Sequence, residues 1–311
     1  VAVGFALAVT YPGAGNLGGG GFMVMRFADG KVRTLDYREA APAAATRDMF
    51  LDKNGNFLEQ KSKRGHLACG VPGSVAGMMY AQRRYGKLTR AQVLKPAIDL
   101  AEKGFSLHYR LADDLERMIP EFSKYRSSMK VFTKKGKPYK EGEKFRQPDL
   151  AKTLKRIKDK GRDGFYKGGT AKLIVAEMKR GGGLITLKDL EDYGSVIRDP
   201  VYGTYRGYEI ISMGPTSSGG VALVQLLNIL EGYNLAQYGW NSSKMVHRLA
   251  EAMRRVYADR AEFLGDPDFV KVPVAWLTSK EYAAQRRATI DSENATPSSL
   301  VSHGVQPPPE K

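Results

Sequence analysis

Arg38 stands in the run Asp36-Tyr37-Arg38-Glu39, at the end of an apolar stretch and downstream of the glycine-rich segment 13–21. A guanidinium offers five N–H donors in a planar fork, which is the natural grip for a carboxylate. The competing reading makes Arg38 an internal ion-pair partner of Asp36 or Glu39. Gly13-Ala14-Gly15-Asn16-Leu17-Gly18 fits G-x-G-x-x-G, with Asp36 at about the spacing of a ribose-binding acid. A dinucleotide site needs a strand before that motif and a helix beginning within it. Here Pro12 precedes it and Phe22-Met23-Val24-Met25, which reads as a strand, follows. The glycines better suit a close backbone approach near a ligand or another strand. Pro215-Thr216-Ser217-Ser218-Gly219-Gly220 carries hydroxyls but is not G-x-S-x-G. A hydroxyl followed by Gly reads as a helix cap, with backbone N–H groups that could also face an anion. His66, His108, His247 and His303 lack metal-ligand spacing. They read as structural or surface residues, so no metal and no cofactor is expected.

The elements that must hold these residues follow from periodicity and punctuation. Segments 21–27 and 32–37 are β-leaning and joined through Asp29-Gly30, a hairpin signal. Segment 43–51 reads as a helix. A helix is expected from Ser74, as N-cap, through Tyr85, and a helix pair over 88–104, broken at Pro96 and closed by Gly104. Segments 108–119 and 148–160 are amphipathic and helical; between them the basic run 124–144 reads as a solvated surface excursion. A helix over 170–180 ends on Gly181-Gly182-Gly183, and Thr186 with Asp189 forms a capping box for a short helix. Segment 201–213 reads as two strands around Arg206-Gly207, 221–230 as an apolar helix, and Ser243 as the cap of a long helix to about Leu264. That helix carries an apolar face of Met245, Leu249, Ala252, Met253 and Val256. Segment 291–311 is polar, then Pro-rich, and reads as an extended tail.

The 311 residues, 42% hydrophobic and 26% charged, suit a globular protein with a sizeable core. A formal net charge of +16 attracts anions or an acidic partner chain. The charges are scattered, with neither a helical stripe nor a polybasic tail, which argues against nucleic acid as a partner. Cys69 is the only cysteine, so no internal disulfide is possible. The apolar opening run 1–9 is too short to span a bilayer as a helix; it reads as the end of a buried helix. Helices and strands alternate irregularly, which gives a mixed α and β class with too few strands for a sheet to complete itself.

Seven pieces stand out in order along the chain, beginning with Asn16-Leu17-Gly18-Gly19-Gly20-Gly21-Phe22-Met23, the run 36–50 (DYREAAPAAATRDMF) and the run 70–77 (GVPGSVAG). Further on come Gly164-Phe165-Tyr166-Lys167-Gly168, Gly182-Leu184-Ile185-Thr186 with Asp189, Leu190 and Tyr193, then Tyr205-Arg206-Gly207-Tyr208 with Met213 and Pro215 through Gly220. Tyr257-Ala258-Asp259-Arg260 through Gly265-Asp266-Pro267 closes the series. Together these pieces resemble the γ-glutamyltransferase (glutathione hydrolase) family, in family order over nearly the whole chain.

The resemblance implies a precursor that cuts itself before a threonine. The large subunit, residues 1–311 here with 291–311 as its tail, would then complete one stacked αββα N-terminal-nucleophile fold with a small subunit. It implies that the catalytic threonine lies on that second chain, with no catalytic residue in this one, and that Arg38 binds the α-carboxylate of a γ-glutamyl substrate. It further implies that Lys311 lies a few residues short of the cut, that an export signal precedes the helix ending at Val9, and a periplasmic or secreted location. Cephalosporin acylases, which cleave a glutaryl side chain, share the fold and stand as one alternative; a non-catalytic anion-binding scaffold stands as another.

Overall fold

The apolar opening run folds as a helix, Ala2–Thr10 (α1), with Phe5, Ala8 and Val9 buried and Val3 and Leu7 on its open side. It is the first element of a computed structural model that describes residues 1–305. The described chain divides into two compact units, one of residues 1–21 and 37–195, the other of 22–36 and 196 onward.

The first unit is helical. Ser74–Tyr85 (α2), Arg90–Lys103 (α3), Pro148–Lys160 (α5) and Gly168–Gly181 (α6) surround a core that includes Phe5, Val75, Leu94, Ala97, Leu154, Ile157 and Tyr166. Segment 88–104 is one helix, not a pair. A reciprocal box between Thr89 and Gln92 starts it (Gln92 N to Thr89 Oγ1 3.3 Å, Thr89 N to Gln92 Oε1 2.9 Å), Pro96 sits inside it, and Gly104 at φ +79° ends it. Burial of Val93, Leu94, Ala97, Ile98 and Ala101 along one face outweighs the hydrogen bond that Pro96 cannot donate.

Ser74 is the first helical residue of α2 and makes no capping bond; Gly73 holds the cap position. Segment 43–51 is a series of turns, not a helix: Ala45 N donates to Pro42 O, and Leu51 N to Asp48 O. Its side chains are mostly exposed, so no buried face offsets the cost of helix nucleation. The basic run is more than an excursion. Tyr109–Arg117 (α4) buries Leu111 and Leu115 on a cluster with Leu107 and Phe145, against which Phe132 and Tyr139 pack. The lysines stay outside.

The second unit carries the strands. Phe22–Arg26 (β1), Val32–Asp36 (β2) and Val196–Arg198 (β3) form an antiparallel sheet in the order β1-β2-β3. Its register sets Val24 beside Thr34 and Thr34 beside Arg198. Val201–Tyr205 (β4) and Tyr208–Ser212 (β5) make a hairpin whose turn residues Arg206 and Gly207 both have positive φ, +49° and +84°.

Gly219–Glu231 (α8) packs on that hairpin, with Ser243–Phe263 (α9) and Lys280–Ala288 (α10) beside it. Ser242, not Ser243, caps α9, accepting from Met245 N at 3.2 Å. The buried face of α9 includes ions that an apolar periodicity misses: Glu251, Arg255 and Asp259 lie there with Ala252 and Val256, while Met253 is exposed. These ions hold the segment that follows α10. Glu251 accepts from Thr296 N (3.0 Å) and Thr296 Oγ1 (2.7 Å), Asp259 accepts from Gly304 N (2.8 Å), and Arg286 donates to Ser302 O (2.9 Å). The expected tail is thus tied down as far as Gly304; Lys311 lies outside the described residues.

Candidate functional site

Arg38 reaches the surface from a backbone that is fixed on several sides within the first unit. Gly21 and Tyr37 exchange two backbone bonds (3.2 and 3.0 Å), and Tyr193 Oη donates to the Arg38 carbonyl at 2.7 Å. Ala40 and Val71 exchange a second pair, 3.1 and 2.7 Å. Glycines permit the close contacts. A methyl group on Gly20 would sit 2.6 Å from Tyr37 O, 2.7 Å from Glu39 N and 2.8 Å from Arg38 Cα. On Gly73 it would sit 2.0 Å from Tyr37 O and 2.1 Å from Tyr193 Oη. This is the close backbone approach expected of the glycine-rich segment. Gly19 O meanwhile accepts from Gly73 N (2.7 Å) and Ser74 N (2.9 Å), which satisfies two donors at the start of α2.

Buried tyrosines carry the floor. Tyr166 stacks on Tyr193 at 5.8 Å with rings 5° from parallel, donates to Pro72 O at 2.7 Å and accepts from Ala76 N at 3.2 Å. Burial pushes both the Tyr166 and Tyr37 hydroxyls above the ordinary tyrosine value, and Tyr166 serves as a neutral donor to Pro72. Tyr193 follows Leu187–Asp192 (α7), whose capping box forms in both directions: Asp189 N to Thr186 Oγ1 is 3.2 Å, and Thr186 N to Asp189 Oδ2 is 2.8 Å. Asp189 also accepts from Ala43 N at 2.8 Å, tying down the turns after Arg38. The Arg38 side chain itself is exposed. An exposed guanidinium on a fixed backbone is chemically able to meet a carboxylate.

The other residues singled out by sequence have different partners. The G-x-G-x-x-G run follows a helix and precedes a strand, the reverse of the dinucleotide context. Asp36, in the second unit, accepts from Arg198 Nε (3.3 Å) and Thr216 Oγ1 (3.1 Å), while Arg198 also grips Asp268 with two bonds of 2.5 and 2.6 Å. Asp268, joined by Asp36 and opposed by burial, raises the Arg198 guanidinium above its ordinary value. Sequence reasoning missed this Asp36–Arg198–Asp268 chain, because the partners lie far apart along the chain.

Ser218 occupies the cap position of α8 without a capping bond and accepts from Arg260 Nε at 2.9 Å. The turn is held instead by Gly219 N donating to Ser217 Oγ at 3.2 Å. His66 bonds Glu177 (2.8 Å), His108 accepts from Leu111 N (3.3 Å), His247 meets Asp291 O (2.9 Å) and His303 meets Gly304 O (2.7 Å). All four have structural contacts.

Residues 1–310 match the family model described as gamma-glutamyltranspeptidase. The glutathione hydrolase proenzyme of Pseudomonas sp. (strain A14) is 51% identical over 308 residues, covering 99% of this chain and 54% of that protein. Acylase ACY 1 proenzyme of Pseudomonas sp. (strain SE83) is 40% identical over 297 residues, covering 94% and 53%. The crystal structure of Helicobacter pylori gamma-glutamyltranspeptidase superposes with a TM-score of 0.95 at 50% identity, covering 97% of this chain and 87% of that one. The chain spans about half the length of the proenzymes it matches. The fold is therefore the N-terminal-nucleophile hydrolase fold of these structures, of mixed α and β composition. The chain belongs to the γ-glutamyltranspeptidase family.

Proposed function

We propose that this chain is the large subunit of an enzyme that cleaves γ-glutamyl amide bonds, with Arg38 holding the α-carboxylate of the γ-glutamyl group. The observation that carries the reading is the family match over residues 1–310, within which Arg38 has a fixed backbone and an exposed guanidinium. In this reading a small subunit from the same precursor begins with a threonine. Its freed α-amine takes the proton of its own hydroxyl, and the hydroxyl oxygen attacks the γ-amide carbonyl. The amine leaving group departs with a proton, and the γ-glutamyl ester passes to water or to the amine of an amino acid or peptide. Two features support a second subunit: the matched relatives are named proenzymes about twice this length, and apolar residues of the three-stranded sheet are exposed here (Val24 41%, Val196 42%, Ile197 41%). A periplasmic or secreted location belongs to the same proposal. No helix among the described residues is long and apolar enough to cross a membrane.

A second reading, a glutaryl acylase, is favoured by the acylase relative at 40% identity, against 51% for the glutathione hydrolase. The two substrates differ by the α-amino group. Steady-state assays of the processed enzyme on a γ-glutamyl anilide and on the matching glutaryl anilide separate them. Preference for the γ-glutamyl compound is expected; faster turnover of the glutaryl compound would assign the acylase, and turnover of neither would sink both.

A further inference from the structure

We propose that a basic cavity of the first unit, distant in sequence from Arg38 and not used in the proposed reaction, binds a small multivalent oxyanion. The cavity, of about 450 Å³, lies among the end of α2, the start of α3, the turn that follows α5, and residues Gly194 and Ser195. Four cationic side chains line it, Arg83, Arg90, Lys160 and Arg162, against one carboxylate, Asp163. Neighbouring acids are engaged elsewhere: Asp159 with Lys158 (3.1 Å), Glu191 with Lys167 (2.9 Å) and Asp192 with Lys188 (2.7 Å). Asp163 approaches Arg162 only at 3.5 Å and is more than half exposed. An uncompensated cluster of this kind raises the local concentration of anions.

Two of the four cations are set in place before any ligand arrives. Arg90 donates Nε to Lys158 O (2.5 Å) and Nη2 to Asp159 O (2.8 Å), leaving Nη1 beside Gly161, where a methyl group would lie 2.8 Å from it. Arg162 lies 4.6 Å over the Tyr166 ring and donates Nη2 to Leu190 O, Glu191 O and Tyr193 O at 3.4, 2.8 and 2.5 Å. Carbonyls fix these guanidinium groups but carry no net charge, so the formal charge remains available to a ligand. The side chains of Arg83 and Lys160 are exposed and have no hydrogen-bond or ion-pair partner among the described residues. Two fixed forks together with two exposed cations suit a compact ligand with at least two charges, since preorganised donors lower the entropic cost of binding. A phosphate-bearing molecule and a polycarboxylate share that chemistry.

The test titrates pyrophosphate and citrate separately into the assembled, processed protein by calorimetry, at ionic strength matched with NaCl. Saturable binding of one ligand equivalent is expected. The tighter of the two anions identifies a phosphate or a polycarboxylate source. The double variant Arg83→Ala/Lys160→Ala should weaken binding by about tenfold or more, since each lost charge-assisted bond contributes on that order. A second double variant, Lys53→Ala/Lys61→Ala, removes the same charge from exposed positions outside the cavity and should bind as the parent does. Thermal midpoints without anion verify that both variants fold. Heats no larger than the NaCl control for both anions, or equal weakening in the two variants, would overturn the proposal.

Discussion

The proposed role of Arg38 can be tested apart from the fold that carries it. Its backbone is bonded through Tyr193 and packed under Gly20, whereas its side chain is exposed. A charge-assisted hydrogen bond contributes roughly 1.5–3 kcal/mol. Arg38→Ala should therefore lower kcat/KM by roughly tenfold to a few hundredfold while the precursor still folds and cuts itself. Arg38→Lys should recover only part of the loss, because an ammonium lacks the planar fork. Thermal midpoint and kcat/KM measured on the same processed protein decide the matter: lost stability with unchanged kinetics would make Arg38 an internal ion-pair partner instead.

Glu251 represents the opposite design, a carboxylate used wholly for architecture. Burial would raise its pKa, but hydrogen bonds from Thr296, Arg255 and Arg254 outweigh that and bring it down from 4.5 to about 2. Folding thus lowers its proton affinity. The stabilisation is complete above the unfolded value and is lost as pH falls through the folded one. The linked free energy is on the order of 3 kcal/mol. Glu251→Gln should flatten the stability–pH curve between about pH 5 and pH 2 relative to the parent, as followed by urea unfolding. An unchanged slope would remove Glu251 from the acid response.

At the scale of elements, two glycines of one loop should behave differently. Gly20→Ala forces a methyl group onto the Arg38 backbone, whereas Gly18→Ala meets nothing within 4 Å. The first should cost about 1–3 kcal/mol and lower kcat/KM by displacing Arg38; the second should stay within about 0.5 kcal/mol. Urea midpoints and kinetics for the pair test this, and equal effects would contradict it.

The same loop shows what sequence could convey. Gly13–Gly21 announced close packing through composition, and the Thr186–Asp189 box and the Arg206-Gly207 turn were legible because their chemistry is local. Arg38 was legible as a candidate, but the Tyr193 hydroxyl that fixes it lies 155 positions away. Segment 43–51 misled because alanine favours helix while most side chains there stay exposed. On α9, Glu251 and Asp259 look like solvent residues until their partners arrive from 45 positions downstream.

For the whole molecule, the exposed apolar residues of β1 and β3 predict dependence on a second chain. Obligate interfaces typically exceed ~2,000 Å². Residues 1–311 expressed alone should aggregate or unfold without cooperativity, while co-expression with the remainder of the precursor should give a monodisperse complex by light scattering. A monodisperse, cooperatively folding isolated chain would count against the assembly.

The division of the chain also sets a timetable for synthesis. The β1–β2 hairpin leaves the ribosome well before β3, the third strand of its sheet, and the Thr34–Arg198 contact spans 164 positions. At 5–20 residues per second the hairpin waits roughly 8 to 30 s for that strand. During this interval the intervening helices of the first unit, including α3, α5 and α6, emerge and can fold around their own core. A nascent chain whose residues through Ser195 have cleared the exit tunnel should therefore hold a protease-resistant helical unit interrupted by a cleavable insert at 22–36. Release of the next few residues, Val196–Arg198, should be the moment at which that insert becomes protected.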